Sequence, residues 1–123
     1  MSESRHRVFV YGTLRTGGSN HHRMAGATFI APATVSGRLY RIDWYPGVVL
    51  DPEAGLVSGE IYEVDDSRLA ALDDYEGSEY RRVETEALLT DGSSARVLIW
   101  EWCLEVDESR RIPGGDWLEA VLP

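Results

Sequence analysis

The sequence predicts an α+β fold built on a strongly curved, mostly antiparallel sheet or a small barrel. Three observations carry this. Strand-like segments are many and only one helix is clear. No regular βαβ alternation is present, which excludes a doubly wound parallel sheet. Gly12, Gly37, Gly47 and Gly59 stand in or beside strands, where glycine permits tight bends. The chain has 123 residues, enough for one domain spanning 1–123, and 43% hydrophobic residues to fill a core without staples.

The elements follow in order. Residues 7–11 predict a buried strand that breaks at Gly12 in the stretch VFVYGTLR (8–15). SNHHRMAGA (19–27) reads as a short helical or looped segment, with Ser19 or Asn20 as cap. ATVSGRLYRI (33–42) alternates as a strand, YPGVVLD (45–51) turns into a short one, and GLVSGEIYEV (55–64) alternates more clearly. DDSRLAALDDYEG (65–77) predicts the one clear helix, capped by Asp65, Asp66 or Ser67 and stopped by Gly77. YRRVETEALLT (80–90), the DGSS turn (91–94) and ARVLIWEWCLEV (95–106) read as a hairpin. RIPGGDWLEAV (111–121) is a Pro-Gly-Gly turn followed by a short helix.

Composition narrows the partners. The formal charge is −9, from 12 basic and 21 acidic residues, and every basic side chain other than His is Arg. Phosphate neutralisation needs clustered cations, so no nucleic-acid partner is expected. No apolar run approaches the ~20 residues of a membrane span, so no membrane partner is expected. The single Cys103 cannot form an internal disulfide, which suits a reducing cytosol. A soluble cytoplasmic protein is expected, its oligomeric state left open. His21-His22 and His6 lack metal-ligand spacing, and Cys103 reads as a strand residue, not a nucleophile. Trp100 and Trp102, on one strand face with Leu98 and Leu104, read as core or as a pocket wall.

Two constellations suggest chemistry. In the helix, Leu69 and Leu72 make the apolar stripe, and four residues further the same face meets Glu76, while Asp73 and Asp74 lie off it. A carboxylate there sits in the last helical turn, where carbonyl dipoles disfavour negative charge. Desolvation and dipole both push its pKa upward, toward what general acid–base work near neutral pH requires. The plainer alternative is an outward Glu76 paired with Arg81 or Arg82. Gly12 likewise has two readings. A broken strand can line successive N–H groups around a carboxylate or oxyanion, or it is an ordinary turn.

VFVYGTLR, LDDYEGSEYRR and RIPGGDW in this order resemble the gamma-glutamylcyclotransferase-like family, in its compact bacterial branch near gamma-glutamylamine cyclotransferases. The resemblance covers most of the chain. It implies a small mixed, mostly antiparallel β-barrel flanked by short helices, and no cofactor. It implies that Glu76 is the general acid/base and that Tyr11, Gly12, Thr13 and Leu14 cradle the glutamyl group. The family's tyrosine after the Glu-Gly pair falls on Tyr80, and Arg15 is placed to help hold an anion. The implied reaction is attack of the substrate's own α-amine on its side-chain carbonyl, releasing 5-oxoproline and an amine. The Trp44-Tyr45-Pro46 turn is a candidate wall of the leaving-group pocket. Asp116-Trp117 either closes the site or docks the tail. Two rivals stand beside this reading: a non-catalytic small-molecule-binding or regulatory protein on the same fold, and gamma-glutamyl removal in specialised metabolite synthesis.

Overall fold

Strand alternation builds two apolar layers from one sheet. In the computed structural model, which describes residues 4–121, strand β1 (Arg5–Val10) sends Val8 and Val10 to one face and Phe9 to the other. It is followed by a 3₁₀ turn (His21–Met24), β2 (Thr28–Arg41), β3 (Pro46–Leu50) and β4 (Leu56–Asp65). Helix α1 (Asp66–Glu76), β5 (Tyr80–Leu89), β6 (Ser94–Trp102), a second 3₁₀ turn (Glu108–Arg110) and helix α2 (Trp117–Val121) complete the described residues. The strand order is β3-β2-β4-β1-β6-β5, and β2 also pairs with β5. That pairing closes β2, β4, β1, β6 and β5 into a five-stranded barrel, with β3 alongside β2. All pairings are antiparallel except β1 with β6, so the barrel is mixed.

The barrel interior packs Phe9, Val35, Leu39, Val57, Ile61 and Ile99. Outside the wall, Val8, Val10, Tyr62 and Val64 meet Leu69 and Leu72 of α1. Both faces of β4 are therefore covered over Gly59–Tyr62. α1 begins where the Asp65 carboxylate accepts the Arg68 N–H at 2.8 Å, so Asp65 is the cap among the three candidates. It ends at Gly77, whose φ of +79° favours glycine.

Several boundaries differ from the sequence-based expectation. β2 starts at Thr28, five residues before the expected 33, and runs through Pro32. Register shifts between Phe29 and Ala31, and regular pairing resumes through Pro32, opposite Glu60. β6 stops at Trp102: the Cys103 N–H turns to the Glu79 carbonyl (2.9 Å), its thiol is exposed, and Leu104 lies in solvent. Cys103 is thus past the strand, and Leu104 is not part of the tryptophan face. Asn20 occupies the cap position of the first 3₁₀ turn without a side-chain cap bond. The four glycines expected to bend the sheet all have negative φ. They provide space instead: a Cβ on Gly59 would lie 2.4 Å from the Val10 carbonyl oxygen. Among the described residues no helix is long and apolar enough to cross a membrane.

Candidate active site

The chain leaves β1 at Tyr11, whose side chain fixes the start of the next loop. Its hydroxyl donates to the Trp100 carbonyl (2.7 Å) and accepts from the Val48 N–H (3.3 Å), tying the loop to β6 and β3. The following turn is closed by the Arg15 N–H donating to the Gly12 carbonyl at 3.1 Å. The Thr13 carbonyl takes the Asn20 N–H at 2.8 Å, and the Leu14 carbonyl takes His21 Nδ1 at 2.9 Å. All three carbonyls are thus committed to the protein. Among the described residues, the N–H groups of Gly12, Thr13 and Leu14 have no protein acceptor. These donors line a cavity and are left for an acceptor from outside the protein. Gly12 is required for close approach: a Cβ there would sit 2.6 Å from Pro46 Cγ.

This loop forms one wall of a cavity of about 250 Å³. The Trp44-Tyr45-Pro46 turn faces it, Tyr75 and Glu76 come from α1, and Glu79, Tyr80 and Trp100 complete the lining. Glu76 is only partly exposed, and burial lifts its carboxyl from an ordinary 4.5 to about 7. The nearby charge of Asp73 adds to the rise. Neither arginine considered as its partner reaches it. Arg82 pairs with Asp73, and Arg81 with Glu101 at 3.2 Å. Asp73 also accepts Trp100 Nε1 at 2.9 Å, so one carboxylate links α1 to β5 and β6 behind Glu76. A carboxyl raised to about 7 thus shares a small cavity with the Gly12–Leu14 loop.

Residues 8–119 match the protein family described as gamma-glutamyl cyclotransferase, AIG2-like. The chain belongs to this family. It is 36% identical over 116 residues to the gamma-glutamylcyclotransferase family protein YtfP of Escherichia coli K12, covering 92% of this chain and 96% of that one. It is 42% identical over 125 residues to the gamma-L-glutamyl-butirosin B gamma-glutamyl cyclotransferase of Niallia circulans, covering 94% and 77%. The crystal structure of a Mus musculus AIG2-like protein superposes with a TM-score of 0.77 at 29% identity, over 85% of this chain and 81% of that one. Membership makes this a gamma-glutamylcyclotransferase-like enzyme on the mixed β-barrel of that family.

Within this gamma-glutamyl cyclotransferase fold, the residues singled out in the sequence separate into two groups. Tyr11, Gly12, Thr13, Leu14, Glu76 and Tyr80 all line the cavity. The Tyr80 hydroxyl donates to the Pro46 carbonyl at 2.6 Å, and its ring stands edge-on to Trp102. Burial and the Glu76 charge drive the Tyr80 phenol far above its usual pKa, so it stays a donor. Arg15 is outside the lining. Its guanidinium lies between Glu60 (3.3 Å) and Asp116 (2.9 Å), and Glu60 also takes the Thr16 N–H and the Tyr62 hydroxyl. Asp116 and Trp117 dock the tail: Asp116 accepts the Leu118 N–H in the first turn of α2, and Trp117 is buried in the barrel core. Asp73, Tyr75 and Glu79 were not foreseen, because only the closed barrel brings β6 and the Trp44 turn to the end of α1.

Arg15 therefore holds the loop to the tail, and its replacement reads out as stability. Arg15→Met leaves Glu60, 8% exposed, without its cation. The expected loss is about 2–4 kcal/mol in thermal or urea unfolding. An unchanged midpoint with a raised KM would instead make Arg15 a substrate contact.

Proposed function

We propose that this enzyme cyclises a gamma-glutamyl amide, releasing 5-oxoproline and a free amine, with Glu76 as the proton shuttle. The observation that carries this is a carboxyl raised to about 7 in the same cavity as the Gly12–Leu14 N–H row. The substrate's α-nitrogen attacks its own γ-carbonyl carbon and a five-membered ring closes. Glu76 takes a proton from that nitrogen. The tetrahedral centre then expels the amine, whose nitrogen receives the proton from Glu76. One C–N bond forms, one breaks, and no water is consumed.

The N–H row holds the substrate carboxylate or the developing oxyanion. An acidic protein needs such backbone donors, since Arg15 is engaged by Glu60 and Asp116. Intramolecular attack removes the need for a serine or cysteine nucleophile, because holding the chain folded supplies the proximity. The cytoplasm is the proposed setting, in line with one free cysteine.

Purified protein incubated with a panel of gamma-glutamyl amines and peptides, with mass-spectrometric detection of 5-oxoproline, tests the reading. Binding without product would make this a non-catalytic member of the fold. Identity to the Niallia circulans protein favours a second reading, gamma-glutamyl removal from a specialised metabolite. It shares the chemistry and differs in the amine half.

The pH profile is a further check. The base must be ionised, so kcat/KM should fall about ten-fold per pH unit below about 7. Asp73→Asn removes a neighbouring negative charge and should move this inflection to lower pH. A flat profile between pH 5 and 8 would exclude a titrating Glu76.

A further inference from the structure

The loop that carries Gly12, Thr13 and Leu14 is aimed from its far side. A peptide unit is planar, and among the described residues none is cis. The carbonyl of one residue therefore points opposite to the N–H of the next, and whatever grips the carbonyl directs that N–H. The Asn20 N–H grips the Thr13 carbonyl at 2.8 Å and so directs the Leu14 N–H. The Arg15 N–H grips the Gly12 carbonyl at 3.1 Å and so directs the Thr13 N–H. That Arg15 N–H belongs to the peptide unit whose own carbonyl, on Leu14, meets His21 Nδ1 at 2.9 Å. The His21 ring thus sets the Leu14–Arg15 unit, which sets the Gly12–Thr13 unit and with it the Thr13 N–H.

A carbonyl oxygen only accepts, so His21 Nδ1 carries the hydrogen. The ring is itself held. It packs 6.0 Å from the ring of Tyr62, whose buried hydroxyl donates to Glu60 and bonds the Thr16 hydroxyl. The His21 N–H donates to the Gly18 carbonyl at 3.2 Å, and three residues on Met24 is buried with Val8, Val10 and Leu14. Gly18 lets this segment lie against the loop, for a Cβ there would stand 2.4 Å from the Thr13 carbonyl oxygen. His21 stays outside the cavity lining and reaches the site only through the loop.

We propose that His21 is a positioning residue for the cyclotransferase reaction: as the Nδ1–H tautomer it locks the Leu14 carbonyl and thereby holds the Thr13 N–H toward the substrate. The inference rests on the cyclotransferase reading above, in which that N–H meets the substrate carboxylate or the developing oxyanion.

Three variants test it. Asn carries its amide nitrogen at the branch position of Nδ1, whereas Gln carries it near that of Nε2. His21→Ala should lower kcat/KM for 5-oxoproline release at least about ten-fold, the scale on which a misdirected oxyanion donor is felt. His21→Asn should recover to within about three-fold of the parent enzyme, and His21→Gln should not. The acid-side fall near pH 7 should stay in place in all three, because Glu76 is untouched. A merely structural role would lower the unfolding midpoint of His21→Ala and leave kcat/KM, measured well below that midpoint, unchanged. That result, or equal activity in the Asn and Gln variants, would overturn the inference while leaving cyclisation standing. Two NMR readouts at pH 8 do not depend on turnover. The imidazole nitrogens should show the hydrogen on Nδ1, and the Thr13 amide resonance should shift in His21→Ala and return in His21→Asn. A neutral ring protonated on Nε2, or a Thr13 resonance indifferent to the substitution, overturns the inference even in an active enzyme. If the parent enzyme releases no 5-oxoproline from any amide, cyclisation fails instead, and these two spectra decide whether His21 aims the Thr13 N–H.

Discussion

Glu76→Gln should lower kcat by at least ~10²-fold and, above pH 7, make the protein more stable. The amide keeps the shape and polarity of the side chain but cannot exchange a proton. Loss should appear mainly in kcat, because in the proposed mechanism substrate binding falls to the N–H groups of Gly12, Thr13 and Leu14, which the variant leaves in place. The stability gain follows from the same pKa. Glu76 titrates at about 7 when folded and near 4.5 when unfolded. Between these values the folded state binds more protons, so stability falls as pH rises. The cost is complete above pH 7 and absent below 4.5. It is at most on the order of 3 kcal/mol, since one pH unit of pKa is about 1.4 kcal/mol, and the partial exposure of Glu76 reduces it. Gln never acquires the charge and escapes the cost. Urea unfolding at pH 8 and pH 4.5 should show the variant ahead only at the higher pH. A near-normal rate would remove Glu76 from the mechanism. An unchanged pH dependence of stability would remove the buried-carboxyl explanation.

What could be read from the sequence was local. α1 was legible because its cap, its Leu69–Leu72 spacing and its terminal glycine lie within thirteen residues. The same spacing placed Glu76 on the inner stripe. The break after β1 was legible as a break, but its N–H row depends on Asn20 and His21 capturing the loop carbonyls. Arg15 was misplaced for the opposite reason. Next to a cradle, a cation suggests an anion partner, but Glu60 and Asp116 lie 45 and 101 residues away. Nothing in a linear reading brings them together. Asp73 was placed off the stripe and given no role, and only closure of the barrel puts Trp100 and Arg82 against it. Gly12 was foreseen as a sharp turn at the end of the strand. Its constraint is Pro46, a contact across the cavity made possible by β3 lying beside β2.

A gamma-glutamyl amide acetylated on its α-nitrogen should be inert and should inhibit turnover of the free-amine substrate competitively. Acetylation delocalises the nitrogen lone pair, so the internal nucleophile is gone, while the α-carboxylate can still meet the N–H row at Gly12. Rate loss should be complete, because proximity supplies an effective molarity of about 10⁵–10⁸ M that no external group in the cavity replaces. A water-using amidase would behave differently: it needs no free amine and would release N-acetylglutamate. Because the acetyl group adds bulk, the matching glutaric acid monoamide, which lacks the α-nitrogen altogether, separates loss of the nucleophile from a clash. It too should bind and stay intact. Oxygen labelling closes the argument. In ring closure the carbonyl oxygen of 5-oxoproline is the oxygen of the original amide, so turnover in labelled water should leave fresh product unlabelled. Glutarate release from the monoamide, or label in the ring carbonyl, would replace cyclisation with hydrolysis and recast Glu76 as a base for water.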